Sequence, residues 1–377
     1  MSREFQRCSK CVMDTSDPEI IFDENGVCNH CRSYEVRAKN ELHEPEQAQR
    51  KLKLLVDEIR RSGNGRKYDC VLGVSGGVDS TTAAYTVRKM GLRALAVHVD
   101  NGWNAELAVS NIENTLNVLG VDLHTCVIDW EEFRNLQIAF FKSSVANVEV
   151  LTDHAITAEM FRCAYQYDIK YVISGGNVAT EAIMPDSWMY DARDLRHIKA
   201  INKKFGEMPL KTFPHCSLAR YFYYIFIKRI KYIPILNYIN YNKEEAKDLI
   251  QRELGWRDYG GKHYESIFTR FFQAYYLPKK FSIDKRLAHL STLICSKQIT
   301  REKALSELSK PAYPKELFDE DYEFFLKKMK LTTEEFEEII NAPPRTYKDY
   351  PSNKLVFAGA PWVITFIKRT VKPRALQ

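Results

Sequence analysis

Residues 75–80 read Ser-Gly-Gly-Val-Asp-Ser, directly after the apolar run Val71-Leu72-Gly73-Val74 and directly before a helix-forming segment. The order is strand, glycine turn, helix start. Gly76 and Gly77 let backbone N–H groups come close to a phosphate. The helix start that follows Val78 adds its positive dipole end. Ser75 and Ser80 offer hydroxyls, and Asp79 can hold Mg²⁺ or cap the helix. The stretch has no lysine, and its spacing is not that of a GxxxxGK[ST] loop, which excludes the common NTPase cradle.

The surrounding pattern predicts an α/β fold. Strands are expected at 68–74, 94–99, 123–128 and 171–174, and helices at 80–90, 106–119, 131–143 and 152–167. Short apolar strands alternating with helices imply a parallel sheet covered on both faces. Ligands of such sheets bind at the carboxyl ends of the strands. Residues 36–66 are charged and helix-forming, with Leu52, Leu54, Leu55 and Ile59 on an apolar stripe, and read as a linker helix. From about residue 200 the chain is helical, aromatic and basic. The 220–241 stretch reads as a core or interface helix interrupted by Pro234, with membrane contact at most peripheral. The expected units are 1–35, 36–66, 67–200 and 201–377. The 377-residue chain has no apolar run long enough to span a bilayer. The start, MSREFQRCSKC, has no apolar signal core, so a cytoplasmic protein is expected. A net charge of +6 over this length does not discriminate between a nucleotide and a nucleic acid as ligand.

Nine cysteines without a secretion signal point to metal ligands and buried thiols. Cys8-x-x-Cys11 and Cys28-x-x-Cys31 make two knuckles, and residues 20–26 between them read as a strand and turn. Two such knuckles complete a closed, structural four-thiolate Zn²⁺ site in a ribbon hairpin. His30 lies inside the second knuckle and could replace one thiolate. Cys70, Cys126, Cys163 and Cys216 read as isolated core thiols.

Other candidates follow from position. Asp100 ends the second strand, where a carboxylate can reach ribose hydroxyls or a metal, or cap the turn at Asn101-Gly102. Ser174-Gly175-Gly176-Asn177, with Glu181 four residues on, is a second glycine turn opening a helix. Asn177 could take a phosphate and Glu181 a Mg²⁺, or the turn could serve only as a helix cap. Asp153 or His154 could accept a proton from an attacking amine, or His154 could be structural. The loop 255–266 is dense in glycine and polar residues, which suits binding. Its candidates are Tyr259, Gly261, Lys262, His263, Glu265 and Ser266, with Lys262 and His263 also placed as acid–base groups. Lys280, Asp284, Arg286 and His289 form a second cluster suited to a nucleotide diphosphate.

The 74–80 run VSGGVDS resembles the PP-loop of ATP pyrophosphatases, the adenine nucleotide alpha hydrolase-like fold. Those enzymes cleave ATP between the α and β phosphates and adenylate a carbonyl oxygen. Taken with CSKCVMDTSDPEIIFDENGVCNHC at 8–31, SGGNVATE at 174–181, GWRDYGGKHYES at 255–266 and DKRLAHLS at 284–291, it resembles the N-acetyl sugar amidotransferases (WbpG-like) of LPS O-antigen and surface-polysaccharide biosynthesis. The likeness runs from Cys8 to about Pro311. It implies that ATP, with Mg²⁺, activates an acetamido group of a sugar nucleotide. Ammonia then forms an acetamidino group, with AMP and pyrophosphate released. Position 2 is Ser, and no glutaminase triad is visible. The resemblance therefore implies a separate HisH-like glutaminase and a HisF-like subunit as the ammonia source. The 220–241 surface is one candidate docking site. A tRNA thiolase, or an ATP-binding zinc-ribbon scaffold without catalysis, is also compatible with the zinc ribbon and PP-loop.

Overall fold

The structure, a computed structural model, describes residues 4–261 and 264–354. Helix α1 (Asn29–Glu41) leaves the second cysteine knuckle, and α2 (Pro45–Ser62) follows after a short break. The expected single linker helix is thus two helices. Pro45 starts the second, where its missing N–H costs nothing. Leu52, Leu55, Val56 and Ile59 of α2 are buried, whereas Leu54 of the expected stripe is exposed.

The α/β unit runs β1 (Cys70–Gly73), α3 (Val78–Lys89), β2 (Ala94–Asp100), α4 (Glu106–Leu119), β3 (Asp122–Val127), α5 (Trp130–Lys142), α6 (Val150–Gln166), β4 (Tyr171–Ser174) and α7 (Val178–Glu181). The four expected strands and four expected helices are all present, with ends displaced by a few residues at most. All strand pairs are parallel, and the order is β3-β2-β1-β4-β5. Side chains alternate across the sheet. Cys70, Leu72 and Ile173 pack with α2 and α3, and Val71, Leu95, Val97 and Val172 pack with α6. The chain builds outward from β1 through β2 to β3, then returns across β1 to lay down β4. The loops after β1 and β4 therefore diverge, and the crevice between them is where ligands of such sheets sit.

The 220–241 stretch corrects the helix expectation. After α8 (Leu195–Phe205) it divides into α9 (Leu218–Phe222), a π-helical turn Tyr223–Ile227, the fifth strand β5 (Lys231–Pro234) and a 3₁₀ turn Ile235–Tyr238. Pro234 closes an edge strand, a place that tolerates its missing N–H. No helix among the described residues is long and apolar enough to cross a membrane.

The remaining helices are α10 (Lys243–Leu254), α11 (Ile267–Phe271), α12 (Leu277–Phe281), α13 (Lys285–Cys295), α14 (Arg301–Ser309), α15 (Lys315–Met329) and α16 (Thr333–Asn341). The cysteine ribbon docks on this half. The Val12 N–H donates to Ser291 Oγ at 3.2 Å, and Arg301 donates to the Cys11 and Cys8 carbonyls at 3.0 and 3.1 Å. Val12, Met13 and Ile20 share one apolar core with Leu287, Ala288 and Leu290 of α13. The expected strand at 20–22 is only an isolated bridge between Phe22 and Cys28.

One contact sets the distance between the two glycine turns. A Cβ on Gly175 would lie 2.6 Å from the backbone C and O of Asp79 and 2.7 Å from the Ser80 N. Only a residue without a side chain lets β4 close on the first turn of α3. Gly175→Ala should lower stability by on the order of 1–3 kcal/mol, as overpacking against immobile backbone does. Denaturant unfolding checks this, and an unchanged midpoint would count against the close approach.

Candidate functional site

The loop at 75–80 continues from the sheet, with the Val74 N–H on the Val97 carbonyl at 3.0 Å. Ser75 Oγ and Ser80 Oγ lie 3.1 Å apart, and the Ser75 N–H donates to Ser80 Oγ at 3.2 Å. Ser80 Oγ also donates to the Gly77 carbonyl at 3.1 Å. The two hydroxyls thus hold the loop in a tight curl. Gly76 has φ +80°, and a Cβ there would meet the Ala108 carbonyl at 2.7 Å. Its carbonyl is turned outward, where Trp256 Nε1 (2.8 Å) and the Tyr259 hydroxyl donate to it. Gly77 precedes α3 and supplies no side-chain cap. The first N–H groups of a twelve-residue helix therefore face the crevice without a side-chain partner from the N-cap. That is the arrangement that receives an anion.

Asp79 stands across the seam between β1 and β4. Its Oδ1 accepts from the Tyr241 hydroxyl and its Oδ2 from Thr180 Oγ1 at 3.2 Å. Burial pushes the Tyr241 phenol well above its ordinary range, and the adjacent Asp79 charge adds to this, so Tyr241 stays a donor. Each carboxylate oxygen keeps a second lone pair. Asp79 can therefore take a cation or a hydroxyl from the crevice.

In the second turn, Ser174 Oγ accepts the Gly176 N–H at 3.3 Å. Asn177 adopts the helix-cap alternative for this turn, not the phosphate role. It is buried, its Oδ1 caps α7 through the Thr180 N–H at 2.8 Å, and its Nδ2 donates to the Gly175 carbonyl at 3.2 Å. Its amide shapes the turn and does not reach out to a phosphate. Glu181 is exposed, and its charge acts on Asp153, Tyr232 and Tyr241, so it does face the crevice. The half-exposed Tyr232 of β5 brings its hydroxyl beside Gly176.

Asp153 lies in the first turn of α6. Its side chain reaches solvent, with Glu149, Lys285 and Glu181 as its charged neighbours. Desolvation, then the charges of Glu149 and Glu181, push its carboxyl up to about 7, against the opposing pull of Lys285. Glu149 pairs with Lys285 at 2.7 Å and accepts Gln273 Nε2 at 3.0 Å. A carboxylate poised near neutrality can hold or accept a proton there. His154 does not share this role. It is buried, its Nδ1–H donates to the Ala192 carbonyl at 2.6 Å, and its Nε2 accepts the Cys216 N–H at 3.2 Å. Desolvation lowers it to about 4, so it is a neutral, structural imidazole.

Asp100 adopts the turn role. Its Oδ1 accepts the Gly102 N–H at 2.9 Å and Asn104 Nδ2 at 3.1 Å. The 255–266 loop does reach the first turn. Besides Trp256 and Tyr259 on Gly76, the Glu265 carbonyl accepts the Ala105 N–H at 2.9 Å, and Ser266 bridges to Asn104 and caps α11. A Cβ on Gly77 would lie 3.7 Å from Glu265 Oε1, so that carboxylate overlooks the loop. Gly261 lies against the Tyr264 ring. Lys262 and His263 lie outside the described residues.

The cluster at 280–289 is corrected for three of its members. Lys280 is buried and donates to the carbonyls of Ile339, Ile340 (3.3 Å) and Ala342 (2.6 Å), which caps the end of α16. Asp284 caps α13 and chelates Arg286, whose other nitrogen donates to the Lys310 carbonyl at 2.9 Å. These groups tie helices together. His289 remains beside the site, with Nδ1 3.2 Å from the Thr180 carbonyl.

The four knuckle thiols are buried and could hold a metal ion, with their sulfurs all within 4.8 Å of one another. Cys8 Sγ accepts the N–H groups of Lys10 and Cys11 at 3.4 Å and of Cys28 at 3.2 Å. Such N–H···S bonds favour thiolates, as a tetrahedral metal site requires. His30 is drawn away to Asp17 at 2.6 Å, which leaves the four sulfurs as the donor set. Cys295, unforeseen from spacing, places its thiol 3.7 Å from Cys31 Sγ. Tyr241 and Glu149 were likewise not foreseen, because nothing in their spacing sets them apart, whereas Lys285 belongs to the expected cationic cluster and Trp256 and Thr180 to stretches expected to bind.

Residues 265–366 match the family described as LPS biosynthesis protein WbpG-like, C-terminal domain. The uncharacterized protein MJ1599 of Methanocaldococcus jannaschii is 26% identical over 325 residues, 83% of this chain and 97% of that one. Among solved structures, the chain is similar to the NH3-dependent NAD synthetase from Campylobacter jejuni (14% identity, 71% of this chain and 99% of that one, TM-score 0.30). It is also similar to the NMN synthetase from Francisella tularensis (18% identity, 58% and 89%, TM-score 0.27). A third is a predicted subunit of tRNA methyltransferase from Methanocaldococcus jannaschii (15% identity, 48% and 74%, TM-score 0.28).

Two outcomes test this geometry. A carboxyl raised from its unfolded value near 4 to about 7 is protonated in the folded state where the unfolded state is ionised. Between these values the unfolded state binds fewer protons, so Asp153 makes stability fall as pH rises from about 4 to about 7. Relative to wild type, Asp153→Asn should therefore gain stability across that window and level off above it. Parallel stability curves for the two proteins would contradict the shift. For the ribbon, chelator treatment should loosen residues 4–35 and also α13 and α14, because Ser291 and Arg301 bind the knuckle backbone. Hydrogen exchange reads this directly, and loss of protection confined to the ribbon would speak against the docking.

Proposed function

We propose that this chain is an ATP-dependent, AMP-forming amidotransferase. It would convert an acetamido group of a sugar nucleotide into an acetamidino group with ammonia, in the synthesis of LPS O-antigen or a related surface polysaccharide. The observation that carries the reading is the N-terminus of α3. It opens without a side-chain cap at the β1/β4 crevice, and a carboxylate held by Tyr241 and Thr180 stands beside it. The WbpG-like match over residues 265–366 supports the polysaccharide context.

In this reading the amide oxygen of the substrate attacks the α-phosphorus of ATP, and pyrophosphate leaves toward the amides of Gly77, Val78 and Asp79. Ser75 and Ser80 hold the loop and offer hydroxyls to the phosphates. Gly76, Gly175 and Gly176 let the backbones that line the crevice approach one another closely. Ammonia adds to the imidate carbon, and its proton passes to Asp153. The C–O bond then breaks, and AMP departs. An amide oxygen is a poor leaving group, and its transfer to AMP is what makes displacement by ammonia feasible. Asp79 and Glu181 are the residues that would hold Mg²⁺, which supplies neutralisation of the phosphate charge. The four knuckle cysteines would hold a structural Zn²⁺. Tyr259, Gly261, Lys262, His263, Glu265 and Ser266 would line the sugar-nucleotide side, with His289 behind α7. Ammonia would come from a separate HisH-like glutaminase with a HisF-like subunit, and the chain would act in the cytoplasm.

Thiol chemistry has less support here. Burial raises Cys126 to about 11, Cys216 to about 11 and Cys163 to about 12, and raises Cys70 further. None of these is an activated nucleophile.

The test is pyrophosphate release from ATP with ammonium salt, against UDP-linked N-acetyl and di-N-acetyl sugars, with mass analysis of the products. Release together with exchange of O for NH in the sugar supports the reading. Release only with bulk tRNA would move the assignment to a thiolase, and ATP binding with no turnover would favour a scaffold. Asp79→Asn and Ser75→Ala should each lower turnover by roughly 100-fold or more without changing the circular dichroism. Wild-type rates in both would overturn the site.

A further inference from the structure

On the far side of the sheet, the edge strand β3 and helix α6 bring together a second set of donor side chains. His124 and Cys126 are two residues apart on β3, so they share a face. Glu159 and Cys163 are four apart on α6, and they share a face as well. His124 Nε2 donates to Glu159 Oε1 at 2.8 Å, and Cys163 Sγ donates to the same oxygen at 3.5 Å. The donor atoms of His124, Glu159 and Cys163 all lie within 4.8 Å of one another. The Cys126 thiol faces the same carboxylate and senses Cys163. Cys126 and Cys163, expected to be isolated, are in fact neighbours.

We propose that His124, Cys126, Glu159 and Cys163 form a second metal site, for a borderline-soft divalent cation such as Zn²⁺. The donor set is one imidazole, two sulfurs and one carboxylate, which suits such an ion and does not suit Mg²⁺ or Ca²⁺. A tetrahedral ion would require the His124, Glu159 and Cys163 donors to draw together from separations of up to 4.8 Å, with Cys126 completing the set from the strand. Arg162 already neutralises Glu159 through two bonds, at 2.7 and 2.5 Å. An ion pair alone therefore has no use for an imidazole and two thiols on the same carboxylate. Arg162 must give way when the cation enters, and it can. Its side chain is 52% exposed, and its third nitrogen already reaches Gln166 at 3.3 Å. Binding would expel two thiol protons to solvent. The loaded site then carries two thiolates and a carboxylate against the cation, net −1, and Arg162 beside it restores neutrality. Entry is from the β3 edge, where the His124 side chain is 29% exposed.

The test uses the full chain, stripped by chelator under reducing conditions and reloaded with Zn²⁺ or Co²⁺. Wild type should hold one equivalent beyond that of the Cys8 knuckle site. Cys163→Ser and His124→Gln should each lose that extra equivalent, while Cys11→Ser loses only the other. The Co²⁺ spectrum lost with Cys163→Ser should show fewer sulfur-to-metal bands than the spectrum lost with Cys11→Ser. A single equivalent in wild type would overturn the site, as would an unchanged stoichiometry in both His124→Gln and Cys163→Ser. Should Cys163→Ser fail to fold, Zn²⁺ should still slow alkylation of Cys126 in the native wild-type protein. Equal labelling with and without Zn²⁺ would count against the proposal.

Discussion

The close contact of Gly175 with the backbone of Asp79 is the constraint on which the site depends. Parallel strands normally hold their following loops apart by the width of the side chains between them. Here the absence of a side chain at 175 lets the β4 turn rest on the first turn of α3. Asp79 is thereby brought within reach of Thr180 on α7 and Tyr241 beyond β5, and these two donors fix its carboxylate in one orientation. A charged side chain held by two donors from separate elements is preorganised, and electrostatic work on a polyanion requires that.

The C-terminal half supplies the other wall. Trp256 and Tyr259 hold the carbonyl of Gly76, Glu265 overlooks Gly77, and Lys285 and Gln273 hold Glu149 beside Asp153. Within the segment matched to the WbpG-like C-terminal domain, Glu265, Gln273 and Lys285 thus reach the crevice. Its helix α13 does this on one end and receives the cysteine ribbon on the other, through Ser291. A metal in the knuckles would stiffen α13, and so bears on the crevice without touching it.

What could be read in advance was local. The strands β1 to β4 announce themselves as short apolar runs between helix-forming segments, and the 75–80 turn carries its own chemistry. β5 escaped notice because it is four residues of edge strand inside an aromatic stretch that ends in proline. Lys280 and Arg286 look like solvated cations in one dimension. Their partners, the carbonyls after α16 and after α14, are distant in sequence, so no spacing reveals that they are caps. The same holds for His154, whose two ring bonds go to residues 192 and 216. Asn177 is the converse case, since its cap role is local and was legible as a common use of Asn before a helix.

The distribution of charge in the crevice carries the argument further. Glu149 and Glu181 both act on Asp153, Glu181 acts with Asp79 on Tyr241, and Lys285 is bound to Glu149. Desolvation, and then the charges of Glu149 and Glu181, hold the Asp153 carboxyl above its ordinary range. A site that only bound a polyanion would gain from cations in this place. A site that must also draw in a cation, or take a proton from an incoming amine, gains from carboxylates beside the amide cradle. The amides of α3 and the carboxylates of α6 and α7 thus divide the crevice into an anion-receiving side and a proton- or cation-receiving side. That division fits the phosphoryl activation and amine attack proposed above.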